Sequence, residues 1–440
     1  MLGPIGASNP FLSGVLFDPS SGPELKASGG LKDPTWFIDL PDTFPASDLS
    51  SESRPSEPGL LTGVSDGTVL LYSPLNPSDE SLLGVYRLAN GELVWSTNLP
   101  RDVYPVSDQK HLYLVDRRSP TLTTIAVIAP SRAQILNCFA ATGTPLPAPS
   151  PIARTATAFD GTLYVSFSPD GTSTTIQGLS ELGAVSVATQ EPNPLALHGV
   201  LSRDGRKVLL ASSGSQATFS LYGYDLATPS GSKPVTVDAA AVRSAPRAVS
   251  GAPSPDPDVD SVIVMDKNTT PFEARNFIFS GDKGVMVFGT SSQSLLLVAL
   301  DIDVKVLWSL PIAAPAETGL SVSADTVHLS SSSNSPQGAP RAAIILDIES
   351  GKFLGKVRDV RWPAGVGTGP LMHSVWAGES GRVVQVFNGS ELFATIGSDG
   401  TLVEPLASSS TALVVYAEVS GRRVVATYVL DPSAAEVPIS

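Results

Sequence analysis

The sequence predicts an all-β chain built from a repeated unit of short antiparallel strands, and three observations carry that expectation. The first is a hairpin that recurs with decay. Leu295 to Asp301 and Val304 to Leu310 read as two apolar strands joined by a short polar turn, the second containing Trp308, so two neighbouring strands of one sheet are specified locally. Related text runs from Gly84 through Trp95 and from Ile344 through Leu354. The second is a phase marker, a turn holding Asp and often Gly, followed each time by an alternating apolar strand. The third is composition: 38 glycines and 38 prolines in 440 residues, without sustained i, i+3, i+4, i+7 apolar spacing, argue against long helices.

Taken in order, residues 1–58 form an extension rich in Pro, Ser and Gly. It contains one strand, Thr35 to Leu40, and a solvated linker from Ser47 to Pro58. From residue 59 the text becomes periodic. The markers Asp66-Gly67, Asp108, Asp160-Gly161, Asp204-Gly205, Asp282 and Asp325 precede strands that start near Thr68, His111, Thr162, Lys207, Val285 and Thr326. Each is followed by a strand centred near Tyr86, Ala126, Ile176, Tyr222, Val298 and Ile345. Two more units run from Met372 to Ile396 and from Thr401 to Leu430. Ser131 to Ala141 could form an apolar helical face, but the repeat calls for a strand there.

Periods of roughly 40 to 50 residues with several short strands are the signature of propeller blades. The expectation is therefore a single β-propeller over 59–440 with eight four-stranded blades, seven being the alternative. The strand at about 35–40 would complete the last blade and close the ring, leaving no edge. Residues 239–260, centred on Pro253-Ser254-Pro255-Asp256, read as an acidic, proline-rich insertion, and Ser330 to Pro340 as a second long loop.

The net charge of −14, with only 28 scattered Lys and Arg, gives no footprint for nucleic acid. Cys138, the single cysteine, excludes intramolecular disulfides and thiolate metal sites and reads as a buried small hydrophobe. No apolar run is long enough to span a bilayer, and Met1 to Phe17 makes a poor signal peptide. The lysine-poor composition resembles that of exported proteins. An extracytoplasmic setting is expected, with a signal or anchor segment lying outside this chain and any membrane association peripheral; a cytoplasmic one is the alternative.

Leu300-Asp301 with Trp308, Leu346-Asp347 with Gly351, and Leu88 with Gly91 and Trp95 resemble the repeat of the quinoprotein-like (PQQ-repeat-like) propellers, a WD40-like architecture. One branch of that family comprises dehydrogenases using pyrroloquinoline quinone and calcium; the other comprises cofactor-free scaffolds. The resemblance implies the scaffold branch, because the chain lacks the vicinal cysteines of the larger dehydrogenases and any recognisable calcium-ligand set, and has five tryptophans, too few to dock one in every blade.

Candidate sites are few. Asp256, Asp258 and Asp260 have the alternate spacing of calcium-binding loops, but Ser261 and Lys267 stand where Gly and Glu are needed; a solvated acidic loop is the simpler reading. His111, His198, His328 and His373 fall in different repeats and read as structural. No Gly-x-Ser-x-Gly elbow occurs, and Gly365 to Gly369 lacks the Lys and helix of a phosphate loop. Arg358, Arg361, Trp362, His373 and Trp376 cluster in sequence and are residue types that concentrate interface energy; the competing reading is that both tryptophans fill core between blades. The expected function is a non-enzymatic scaffold with protein partners, no cofactor and no catalytic residue. The alternatives are an enzyme sited at the channel mouth (a degenerate quinoprotein, lyase or hydrolase) and a carbohydrate or peptide binder.

Overall fold

A computed structural model describes residues 25–40, 61–74, 80–100, 103–145, 156–186, 196–238, 273–323, 326–331, 342–397 and 401–430, with short gaps inside several of these spans. The described residues are nearly all strand, in eight antiparallel sheets. Sheet 1 holds Leu61–Ser65, Thr68–Pro74, Glu80–Arg87 and Leu93–Pro100. Sheet 2 holds Val103–Ser107, Leu112–Asp116, Leu122–Ala129 and Gln134–Thr142. Sheet 3 holds Ala156–Phe159, Thr162–Ser168, Thr175–Ser180 and Gly183–Ser186, with Thr144–Pro145 as a fifth strand. Sheet 4 comprises Ala196–Leu201, Lys207–Ser213, Thr218–Asp225 and Val235–Asp238, and sheet 5 comprises Glu273–Ser280, Lys283–Gly289, Ser294–Asp301 and Val306–Ala313. Sheet 6 comprises Thr318–Ser323, Thr326–Ser331, Ala342–Asp347 and Phe353–Arg358.

The last two sheets borrow strands from the beginning of the chain. Sheet 7 is Val360–Val366, His373–Gly378, Val384–Asn388 and Glu391–Ile396, with Ala27–Gly29 added on its outer edge. Sheet 8 is Thr401–Ser408, Ala412–Val419 and Arg422–Val429, and its fourth strand is Trp36–Asp39. Trp36–Asp39 lies within the early strand expected from the sequence; Ala27–Gly29 was not anticipated, nor were five strands in sheets 3 and 7. Ser131 to Ala141 resolves into one 3-10 turn at Pro130–Arg132 and the strand Gln134–Thr142.

A strand packed between two sheets has two buried faces, which alternate along the sequence. Val69 and Leu71 of sheet 1 belong to a core with Trp36, Ile38, Val414 and Val425 of sheet 8. Leu70 and Tyr72, the residues between and beside them, belong to a core with Leu112, Leu114 and Ile128 of sheet 2. Tyr113, Val115 and Val127 of sheet 2 meet Leu163, Val165 and Leu179 of sheet 3, and Val384, Val386 and Ile396 of sheet 7 meet Leu413, Val415 and Ala417 of sheet 8. The first strand of each sheet lies beside the first strand of the next, from sheet 1 through sheet 8, and that of sheet 8 lies beside that of sheet 1.

The hairpins that carry the family resemblance share local geometry. In sheets 1, 5 and 6 the pairing of third and fourth strands shifts register by one residue at the same place, between Val85 and Tyr86, Ala299 and Leu300, and Ile345 and Leu346. Asp301 Oδ1 accepts from the Lys305 amide at 2.9 Å, and Asp347 Oδ1 from the Ser350 amide at 2.7 Å. Those bonds explain why an aspartate ends the third strand. Gly91 and Gly351 hold φ of 71° and 66°, the left-handed region that the turn requires.

Candidate functional site

Because the strands alternate in direction, the turns between strands one and two and between strands three and four lie at one end of each sheet. At that end the sheets are joined by polar contacts that recur. Trp36 of sheet 8 donates its indole N–H to the Leu88 carbonyl in the three-four turn of sheet 1, at 2.7 Å. Trp95 of sheet 1 donates to Pro130 O in the corresponding turn of sheet 2 at 2.7 Å, and Trp308 of sheet 5 to Ile348 O in sheet 6 at 2.8 Å. A second contact joins the one-two turn of a sheet to the three-four turn of the next: Asp66 accepts from the Ser131 hydroxyl, and Lys283 Nζ donates to Glu349 Oε1 at 2.6 Å.

The densest joint lies between sheets 2 and 3. The Asp108 carboxylate is 8% exposed as a residue and accepts four hydrogen bonds. Oδ1 takes the Lys110 and His111 amides at 2.8 and 2.7 Å; Oδ2 takes the Gly161 amide across the joint at 2.7 Å and the Tyr113 hydroxyl at 3.3 Å. His111 Nδ1 lies 3.3 Å from Gly161 O, and Nε2 lies 3.7 Å from Glu181 Oε2. Asn137 Nδ2 donates to the Glu181 carbonyl at 3.2 Å. A carboxylate engaged this way is a structural anchor with no free lone-pair direction left for substrate.

Arg358 ends the last strand of sheet 6, and Arg361 and Trp362 open the first strand of sheet 7. Trp376 sits near the end of the second strand, opposite Pro363, while Ala377 is opposite Trp362. These four positions therefore gather at the end of the sheets away from the clasps. His373 begins its strand and lies at the clasp end, so the register separates it from the others. Trp362 and Trp376 stand in successive cross-strand rows.

Asp256, Asp258 and Asp260, and the whole insertion at 239–260, lie outside the described residues. Among the described residues no group of three His, Cys, Asp or Glu side chains is placed to hold a metal, and no helix is long and apolar enough to cross a membrane. His328 is fully buried, with Nε2 3.2 Å from Thr326 Oγ1 and its ring against Phe387, as a structural imidazole. Cys138 corrects the sequence reading: it is exposed. It lies on Gln134–Thr142, the outermost strand of sheet 2, which pairs on one side only.

The sequence reading missed the Asp108–His111 joint, although Asp-x-x-His at a phase marker is a visible signal. It also missed Trp36, which docks as the hairpin tryptophans do but reaches its sheet from the opposite terminus.

No family model matches the chain, and no curated protein matches it. Solved structures do. The chain is similar to BamB from Moraxella catarrhalis, with 13% identity over 89% of this chain and 99% of that one, at a TM-score of 0.45. It is similar to the WD40 domain of SCAP from fission yeast, with 11% identity over 85% of this chain and 96% of that one, at 0.47. The Dos1 propeller gives 13% identity over 82% and 75%, at 0.38. All three TM-scores lie below 0.5, and nothing further rests on them. The class is defined by the described residues themselves, which form serial antiparallel sheets.

Proposed function

We propose that the chain is an eight-bladed propeller of the quinoprotein-like type, closed by the strand Trp36–Asp39, and that it acts as a non-enzymatic scaffold for protein partners in an extracytoplasmic assembly. The division at about residue 58 into extension and ring belongs to the same reading. Support for the ring comes from the run of neighbouring first strands that returns from sheet 8 to sheet 1 and from the core shared by those two sheets.

The observation that carries the scaffold reading is the asymmetry of the two ends of the sheets. At the clasp end, side chains of the turns are engaged in holding neighbouring sheets together. At the other end stand Arg358, Arg361, Trp362 and Trp376, residue types suited to an interface. That end is the proposed partner surface, with His373 outside it. Cross-linked affinity purification from the native host, beside an Arg361→Ala/Trp362→Ala variant verified by circular dichroism, tests this. A stoichiometric complex lost in the variant supports the reading. Recovery of the protein alone, or of the same complex with the variant, refutes it.

A further inference from the structure

The joint between sheets 2 and 3 differs from the other described clasps in containing an imidazole, a ring whose two nitrogens can each donate or accept. His111 is 9% exposed and both ring nitrogens face acceptors. Nδ1 is 3.3 Å from the Gly161 carbonyl and 3.5 Å from the Tyr113 hydroxyl, which donates its proton to Asp108 Oδ2. Nε2 is 3.7 Å from the Glu181 carboxylate. A neutral imidazole has one N–H. With the proton on Nδ1, the Nε2 lone pair faces a carboxylate; with the proton on Nε2, the Nδ1 lone pair faces a carbonyl oxygen. Only the doubly protonated ring donates in both directions.

We propose that His111 is a proton-operated clasp: protonation ties both turns of sheet 3, at Gly161 and at Glu181, to sheet 2, and deprotonation loosens the joint. The charged and titratable groups around the ring fit this role. Asp108 and Tyr113 come from sheet 2, and Lys110 from the same turn as His111, its aliphatic chain beside Gly161. Glu181 comes from sheet 3, its backbone held by Asn137; Asp160, next to Gly161, is outside the described residues. The described joints at Asp66–Ser131 and Lys283–Glu349 hold no imidazole.

Hydrogen exchange of the full chain at about pH 5.5 and 8, values bracketing an ordinary imidazole, tests the clasp once rates are corrected for intrinsic chemistry. The Gly161 amide and residues 180–184 should open about fivefold more readily at the higher pH, the scale of one charge-assisted contact at a half-exposed partner. Glu181→Gln, at a side chain 48% exposed, should cut that difference to below about twofold, and His111→Gln should abolish it. Equal protection at the two pH values in the wild-type chain, or a pH difference that survives Glu181→Gln, overturns the proposal. Should His111→Gln fail to fold, Glu181→Gln decides alone.

Discussion

Trp95 shows how much one side chain does at a joint. It is 3% exposed, fills the core between sheets 1 and 2, and satisfies the Pro130 carbonyl. Trp95→Phe keeps most of the apolar surface but leaves that carbonyl without its donor, so urea unfolding should show a loss of about 1–3 kcal/mol. Trp36 adds a steric constraint: a Cβ on Gly91 would stand 2.7 Å from its indole Cδ2, at a φ of 71°. Tyr428 is the opposite case. Its hydroxyl is buried with no hydrogen-bond partner, and desolvation, followed by the negative charge of Asp33, pushes the phenol well above its ordinary range. The folded state thus holds the proton while the unfolded chain releases it near pH 10, so stability should fall as pH rises above about 10. Tyr428→Phe should be neutral or stabilising at pH 7 and should flatten that alkaline loss, both read from unfolding midpoints across pH.

At the scale of elements, the strand Trp36–Asp39 contributes more than its length suggests. Trp36, Phe37 and Ile38 are buried, Asp39 accepts from Arg422 at 2.7 Å, and the strand covers the edge of Arg422–Val429. Removing residues 1–40 deletes the buried side chains of Leu25, Leu31, Trp36, Phe37, Ile38 and Leu40, worth about 1.5–3 kcal/mol each when large and fully buried, and opens the edges of Glu391–Ile396 and Arg422–Val429. The expected result is a lower urea midpoint together with association visible by light scattering. A monomer of unchanged midpoint would show that the strand is dispensable.

Elements are also where the sequence was most legible. The run of short antiparallel strands and the turns between them could be read because Asp turns and alternation are local signals. Ala27–Gly29 could not: Ala, Ser and Gly carry no strand preference, and their pairing with Ala394 to Ile396 depends on chain folded much later. The exposure of Cys138 was missed for a related reason, since nothing in Asn137-Cys138-Phe139 tells an outermost strand from an inner one. Of the candidate surface, the clustering of Arg358, Arg361 and Trp362 was readable, but the separation of His373 needed strand direction.

At the scale of the whole molecule, the described joints tie sheets 1 to 2 and 2 to 3 by shared cores and turn-to-turn bonds, sheets 5 to 6 by turn-to-turn bonds, sheets 7 to 8 by a shared core, and sheet 8 to sheet 1 by the core that Trp36–Asp39 enters. A permutant of this 440-residue chain that joins its first and last residues through a flexible linker and opens between Asp238 and Glu273 keeps every described pairing. It should match the parent in urea midpoint and refold faster, because its closing strand would sit near its partner in sequence; a slower permutant would contradict this.

Asp39 and Arg422 are separated by 383 positions. On a ribosome making about 5–20 residues per second, the segment Trp36-Phe37-Ile38 would wait roughly 20–80 s for the strand it pairs with. Through that interval it is a short apolar β-forming stretch without a sheet, the kind of text that recruits other chains. Its flanks answer that hazard: Asp33-Pro34 stands on one side and Pro41-Asp42 on the other, charge and proline together, as gatekeepers against aggregation. The residues that bracket the closing strand thus serve the nascent chain as well as the finished one.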